Sequence, residues 1–469
     1  MIKLNHVSFS YQNGEANEMQ VLSDVSFQAS RGECVVLCGK SGCGKTTMLR
    51  LVNGLIPHFY TGKLEGNVLV GGQEMQQTPL SQTSRIVGSV FQNPRTQFFH
   101  LDTTGEMAFN LENQNVPRPQ MKKRLEEVSY RLNLQELMDR NIFELSGGEK
   151  QQIACGSVYA ALPSVIVMDE PSSNLDMESI RKLQKLIRMM KDEGRTVLIS
   201  EHRLWYLEGI ADRYVLLEDG RIRQEFTPEA AADLSLEKRK ALGLRAVKRE
   251  QLYELRPDMG LIKQKSTGLE IDGLQFSRQM RQVLNVPHLE IPSGAIVAVI
   301  GENGAGKSTF SLCLAGLLKH TGTVRIDGKK IAHKKLPEQV YLVMQEAGHQ
   351  LFSDTVLGEL TLNNPALSEE KGKEVLTTLG LNGMENRHPG SLSGGQQQRL
   401  SLGTALCMKR KLMLYDEPTS GQDGENLLRT AELIRAANKQ AASTLIVTHD
   451  PELILRCATH ILHTHAGEV

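Results

Sequence analysis

The sequence predicts the α/β class with one unit written twice, each copy a mixed central sheet flanked by helices, with an inserted helical subdomain and an antiparallel β portion. Three observations lead there. Gly39-Lys40-Ser41-Gly42-Cys43-Gly44-Lys45-Thr46 and Gly301-Glu302-Asn303-Gly304-Ala305-Gly306-Lys307-Ser308 both fit G-x-x-x-x-G-K-[ST], and each follows an apolar run. Leu145-Ser146-Gly147-Gly148-Glu149-Lys150-Gln151-Gln152 recurs as Leu392-Ser393-Gly394-Gly395-Gln396-Gln397-Gln398-Arg399, each copy between that glycine motif and a downstream Asp-Glu pair. Leu145 and Leu392, Asp169 and Asp416, and His202 and His449 all stand 247 positions apart. Upstream the offset is 253 for Gln92 and Gln345 and 262 for Gly39 and Gly301, so the second copy is shorter there and co-linear afterwards.

Size and composition agree. A length of 469 residues exceeds the roughly 150 of a typical domain. The repeat divides it into a first domain over 1–224, a partly helical linker over 225–268 and a second domain over 269–469. Lys and Arg total 54 and Asp and Glu 54, so no bulk positive field argues for nucleic acid. The seven cysteines contain no C-x-x-C pair and read as reduced core or loop thiols, with no shared metal expected at Cys34 and Cys38. No signal-peptide core opens the chain and no lipidation motif stands out. No run reaches the roughly 18 apolar residues that span a bilayer, so any work at a membrane needs other subunits to do the spanning.

Taken in order, Ile2-Lys3-Leu4-Asn5-His6-Val7-Ser8-Phe9 alternates as a half-exposed antiparallel strand does. Glu33 to Cys38 is a nearly continuous apolar run before glycines, the mark of a buried strand, and 165–168, 196–199 and 214–217 share that character. Between about Asn93 and Val158 the pattern turns polar and helical, with 121–132 amphipathic. The linker carries Glu237-Lys238-Arg239-Lys240 and Arg245-Ala246-Val247-Lys248-Arg249. These read as solvated helix, or as a basic patch for lipid headgroups or a partner.

The chemistry lies at the strand ends. Gly39, Gly42 and Gly44, and Gly301, Gly304 and Gly306, let backbone N–H groups wrap phosphates, with Ser41, Thr47, Asn303 and Thr309 in or beside the same loops. Lys45 and Lys307 neutralise β/γ charge; Thr46 and Ser308 can hold Mg²⁺. A metal bound there needs a carboxylate from a neighbouring strand end, which Asp169 and Asp416 supply, leaving Glu170 and Glu417 to polarise an attacking water. His202 and His449 follow apolar strands in matching positions, which favours a γ-phosphate contact. Ser146 and Gly148, like Ser393 and Gly395, offer a hydroxyl and unshielded amides to an anion whose other contacts must come from elsewhere.

With these residues in place, the chain resembles two ATP-binding-cassette (ABC) ATPase domains of the P-loop NTPase class fused in tandem. The resemblance implies ATP and Mg²⁺ as ligands, catalytic bases at Glu170 and Glu417, switch histidines at 202 and 449, and signature motifs at Leu145 and Leu392. It further implies D-loops at Ser173-Asn174-Leu175-Asp176 and Ser420-Gly421-Gln422-Asp423. It also implies head-to-tail pairing of the two domains, so that Leu145 to Gln152 serves Lys307, Ser308, Asp416 and Glu417, and Leu392 to Arg399 serves Lys45, Thr46, Asp169 and Glu170. Three positions depart from the pattern: Arg278 stands where Tyr11 provides the adenine-stacking aromatic, Gln152 where Arg399 ends the other signature, and Gln422 where a Leu is usual.

Phe91-Gln92-Asn93-Pro94-Arg95-Thr96-Gln97-Phe98-Phe99 resembles the Gln-Asn-Pro-x-x-Gln-Phe segment of energy-coupling-factor (ECF) transporter ATPases, and Met344-Gln345-Glu346-Ala347-Gly348-His349-Gln350-Leu351-Phe352 is a looser version. Gln92 and Gln345 are placed to sense γ-phosphate and magnesium, and Phe98 and Phe99 to meet a partner helix or to serve the core. The resemblance implies an importer of B vitamins, vitamin precursors, cobalt or nickel. It implies two partners, a transmembrane coupling protein and a small substrate-binding membrane protein, with the ATPase peripheral on the cytoplasmic face. A sugar-importer ATPase and a soluble ribosome-acting twin cassette are the rival classes.

Overall fold

The computed structural model describes residues 1–13, 17–254, 267–278, 281–362, 364, 367–465 and 467–468. They form two compact units, Met1–Arg249 and Glu250–Val469. In the first, Ile2–Asn13 pairs antiparallel with Asn17–Ala29 on one side and Gly62–Val70 on the other, and Gln73–Glu74 completes a four-stranded sheet. Ile2, Leu4, Val7 and Phe9 are all buried. A register shift between Leu4 and Val7, with His6 at φ 49°, moves the apolar face from even to odd positions, as a bulge does.

The central sheet of this unit runs Arg221–Phe226, Arg213–Glu218, Cys34–Cys38, Thr196–Ser200, Val165–Asp169, Val87–Val90. Five strands are parallel and Arg221–Phe226 closes the edge antiparallel. Their apolar runs follow from burial on both faces. The Cys34–Cys38 strand feeds the glycine loop and the Lys45–Val52 helix, and Val165–Asp169 ends on the acidic pair beside it. The inserted helices are Thr103–Asn113, Arg118–Arg131 and Gly147–Ala160.

The second unit repeats the plan. Arg281–Pro292, Thr267–Arg278, Thr323–Ile326 and Lys329–Ile331 form the antiparallel sheet. Val340–Val343, Leu412–Asp416, Ser443–Val447, Ile296–Gly301 and His460–Thr464 form a parallel one. Helices Val356–Thr361, Glu369–Thr378 and Gly394–Met408 form its insertion.

The chain expected as linker behaves differently over its first half. Compact packing of the first unit continues past Gln224 to Arg249. Helices Pro228–Ala232 and Leu236–Ala241 bury Ala231 and Arg239, and Arg245, Ala246 and Val247 are buried too. Arg239 and Arg245 are therefore withdrawn from solvent while Lys238, Lys240 and Arg249 stay exposed: Arg239 is 2% exposed and its Nε donates to Leu234 O at 3.2 Å. Gly243 packs so closely on Lys40 of the glycine loop that a Cβ there would lie 2.7 Å from the lysine Cγ. Residues 255–266 lie outside the described residues. Among the described residues no helix is long and apolar enough to cross a membrane.

Candidate active site

Each glycine loop is built by close approach. A Cβ on Gly39 would lie 2.2 Å from Leu217 O, so only glycine fits where the loop leaves its strand. Gly44, at φ 105°, caps the Lys45–Val52 helix with no side-chain acceptor, and Gly306, at φ 88°, does the same for Lys307–Leu314. The first-turn N–H groups of both helices are thus available to an anion. The lysines fold back over the loops. Lys45, 5% exposed, donates from Nζ to Gly39 O at 3.1 Å and Lys40 O at 2.9 Å, and Lys307 Nζ donates to Gly301 O at 2.8 Å and Glu302 O at 2.7 Å.

The acidic pair sits beside each loop. Thr46 Oγ1 donates to Asp169 Oδ1 at 3.1 Å, and the Ser308 hydroxyl favours the ionised form of Asp416. Burial raises the pKa of both carboxyls above the ordinary value, assisted at Asp169 by the neighbouring Glu170 charge. A hydroxyl, a carboxylate held at the cost of desolvation and uncapped amides fit a triphosphate with its divalent cation, because the cation supplies the charge that burial withholds.

Glu170 and Glu417 take left-handed backbone, φ 44° and 45°, a conformation costing about 1–3 kcal/mol for a residue other than glycine. Their N–H groups still reach the next strand, Glu170 N to Ser200 O at 2.8 Å and Glu417 N to Val447 O at 2.9 Å. The same strain in both copies marks these positions as held for their carboxylates. Gln92 Nε2 donates to Glu170 Oε2 at 2.7 Å, and His202 Nε2 lies 3.4 Å from Oε1. In the second unit His449 Nε2 lies 3.8 Å from Glu417 Oε1, and Thr448 Oγ1 and His449 N donate to Oε2 at 3.4 and 3.5 Å. Gln345 lies just beyond the Val340–Val343 strand. The glutamine and histidine assigned to phosphate from sequence thus meet, in the first unit, on the carboxylate beside it.

Other predicted residues have settled local roles. Tyr11 adjoins the loop helix, its hydroxyl 3.3 Å from Thr47 Oγ1 and accepting from Arg50 Nη1 at 3.0 Å, and its ring meets Phe9 and Tyr60 edge-on. Arg278 stands at the exposed end of the Thr267–Arg278 strand, paired with Arg281. Ser146 and Ser393 cap their own helices, accepting from Glu149 N at 3.3 Å and Gln396 N at 3.4 Å in reciprocal capping boxes. The Gln422 departure is paired: its Oε1 accepts from Thr430 Oγ1 at 2.9 Å and its Nε2 donates to Pro418 O at 3.0 Å. The positions 247 earlier are Leu175 and Leu183, both buried, so an apolar pair in one copy is a hydrogen-bonded pair in the other.

Sequence reasoning missed the device that shapes the segments after Gln92 and Gln345. Gln97 Oε1 accepts from Phe91 N at 3.3 Å, and buried Glu106 accepts from Phe99 N and His100 N at 2.8 and 3.0 Å. Gln350 and Glu359 do the same for Met344 N, Phe352 N and Ser353 N. The available signal was the 253-position spacing that Glu106 and Glu359 share with Gln92 and Gln345. The pinned loops leave Phe99 74% and Phe352 79% exposed, so neither is a core residue.

Comparison with known proteins agrees with this geometry. The ABC transporter family model matches residues 22–173 and 284–420. A Treponema denticola protein named provisionally as an ABC transporter ATP-binding protein is 41% identical over 474 residues, covering 100% of this chain and 96% of that one. A Bacillus subtilis protein named provisionally as the HMP/thiamine import ATP-binding protein YkoD is 32% identical over 500 residues, covering 99% and 90%. The solved structure of an RNase-L inhibitor superposes with a TM-score of 0.66 at 23% identity, covering 98% of this chain and 88% of that one, a likeness of fold. The chain belongs to the ABC transporter family as a tandem ATPase whose two cassettes bind ATP with Mg²⁺.

Proposed function

We propose that this chain is the ATP-hydrolysing subunit of an ECF-type importer for a B vitamin, a vitamin precursor, cobalt or nickel, peripheral on the cytoplasmic face of the membrane. The observation that carries the reading is the pair of pinned loops, each holding one phenylalanine out to solvent close in sequence to the glutamine that follows a central strand. Exposed aromatics on a rigid loop suit an apolar helix of a membrane partner. The relative named for HMP/thiamine import, alike over nearly the whole chain, supports the vitamin-precursor end of this range.

In this reading each nucleotide lies between one unit's glycine loop and the other unit's Ser-Gly-Gly. The loop amides with Lys45 or Lys307 hold its phosphates; Thr46 with Asp169, and Ser308 with Asp416, hold the magnesium, aided by Gln92 and Gln345. Bound magnesium neutralises charge on the β- and γ-phosphate oxygens. Glu170 and Glu417 orient and polarise the attacking water, and His202 and His449 stand against those carboxylates. Gln92, bonded to Glu170 and leading into the Phe99 loop, links the state of the site to the surface a coupling helix would press.

Affinity purification of the full chain from membranes tests the assignment. Co-purification of a polytopic coupling protein and a small membrane protein, both lost with Phe99→Ala and Phe352→Ala while basal ATP turnover persists, is the expected result. Sedimentation with ribosomes, or co-purification with sugar-importer permeases, overturns it.

A further inference from the structure

The two signature helices differ at their eighth motif position, and the difference opens space in the first unit. In the second unit Arg399 bridges two helices, Nε donating to Leu379 O and Nη1 to Asn426 Oδ1, both at 2.9 Å. Its counterpart Gln152 is shorter and turns back on its own helix, Nε2 to Gly148 O at 3.4 Å. Leu132 and Ser179, the counterparts of the two acceptors, instead line a cavity of about 190 Å³ between Gly147–Ala160 and Met177–Asp192. A cavity of roughly 150 Å³ already admits a benzene-sized molecule.

The walls specify what would enter. Leu183, Leu186 and Met189 supply an apolar side, and Arg131, Lys182 and Lys185 supply cations. Two of these cations, Arg131 and Lys185, stand where the co-linear second copy has Thr378 and Glu432, so the first unit lacks the bridging arginine and carries more positive charge around that space. Arg131 is paired with Glu193 at 2.8 Å and Lys182 with Glu178 at 2.9 Å, whereas Lys185 makes no ion pair among the described residues. Gln151, 5% exposed, lines the same cavity, and its Nε2 has no hydrogen-bond partner among the described residues. That amide is common to both copies, since Gln398 Nε2 likewise has no partner among the described residues; the exchange of Arg399 for Gln152 and the added cations are what distinguish the first unit.

We propose that this cavity is a binding site for a small carboxylate with an apolar body, its acid group at Lys185 and the Gln151 amide and its chain against Leu183, Leu186 and Met189. A ligand there ties the signature helix to the helix that follows the first D-loop, the connection Arg399 makes by hydrogen bonds in the second unit. The inference is independent of the transporter assignment, because it uses neither membrane partner nor nucleotide.

Octanoate is the probe, titrated calorimetrically into the full chain without nucleotide, with 1-octanol as the uncharged control. Saturable binding of one octanoate per chain is expected, weakened at least tenfold by Gln152→Arg, which fills the groove, and severalfold by Lys185→Glu. Circular dichroism and thermal unfolding check that both variants are folded. Absence of saturable binding, affinity unchanged in both folded variants, or octanol binding as tightly as octanoate overturns the proposal.

Discussion

Gln92 Nε2 donates to Glu170 Oε2 at 2.7 Å, joining the end of one parallel strand to the carboxylate at the end of the next. In the second unit Thr448 Oγ1 and His449 N donate to Glu417 Oε2 at 3.4 and 3.5 Å. If both carboxylates act on water, Glu170→Gln and Glu417→Gln each remove one site's share of ATP turnover. The double variant should fall by about 10²–10⁴-fold, the usual contribution of a general base. A single variant turning over at the wild-type rate would remove its site from the mechanism.

The proposed head-to-tail sharing of each nucleotide makes a crossed prediction at Ser146. Ser146→Asp preserves the helix cap, since Asp accepts from the same amide, but sets a negative charge against a phosphate. In the Glu170→Gln background, where turnover remains at the Lys307 loop, it should abolish that remainder. In the Glu417→Gln background it should spare the activity at Lys45. The opposite pattern in steady-state ATPase assays would exclude this pairing.

Asp169 has a pKa raised above its ordinary 3.8, chiefly by burial. A carboxyl raised on folding contributes stability that is present below the unfolded pKa and lost as pH rises through the folded one. Asp169→Asn therefore stabilises the nucleotide-free, magnesium-free protein at neutral pH, and the gain shrinks as pH falls toward 3.8. ATP turnover falls in the same variant. Thermal unfolding between neutral and acid pH reads the first effect, and a variant no more stable than wild type at neutral pH contradicts it.

Gln422 and Thr430 form a polar pair where the first unit has Leu175 and Leu183. Thr430→Val strands a buried amide oxygen, so we expect a loss of about 1–3 kcal/mol in urea unfolding. Gln422→Leu combined with Thr430→Leu, which restores the apolar version, should recover most of it. An additive double variant would show that the two side chains do not depend on each other.

The chain from Glu225 to Arg249 shows where sequence reading stopped. Its charged runs read as solvent-facing, yet Arg239 and Arg245 are buried against the first unit. Composition reports charge but not that an arginine can bury its stem while its head finds a local carbonyl, as Arg239 does with Leu234. Ser146 was legible in place and only partly in role: the helix start was evident, while the capping box that occupies its hydroxyl depends on backbone geometry.

The sequence by itself determined the class, the doubling, both phosphate loops, both Asp-Glu strand ends and the paired Ser-Gly-Gly helix starts. Each is encoded within one strand, loop and helix, so periodicity, glycine placement and spacing suffice. Tertiary structure alone decided that Gln92 and His202 converge on Glu170, that Thr46 bonds Asp169 across 123 positions, and that Gln152 leaves a cavity where Arg399 makes a bridge. Those relationships depend on the order in which distant strands and helices pack, and no local pattern records it.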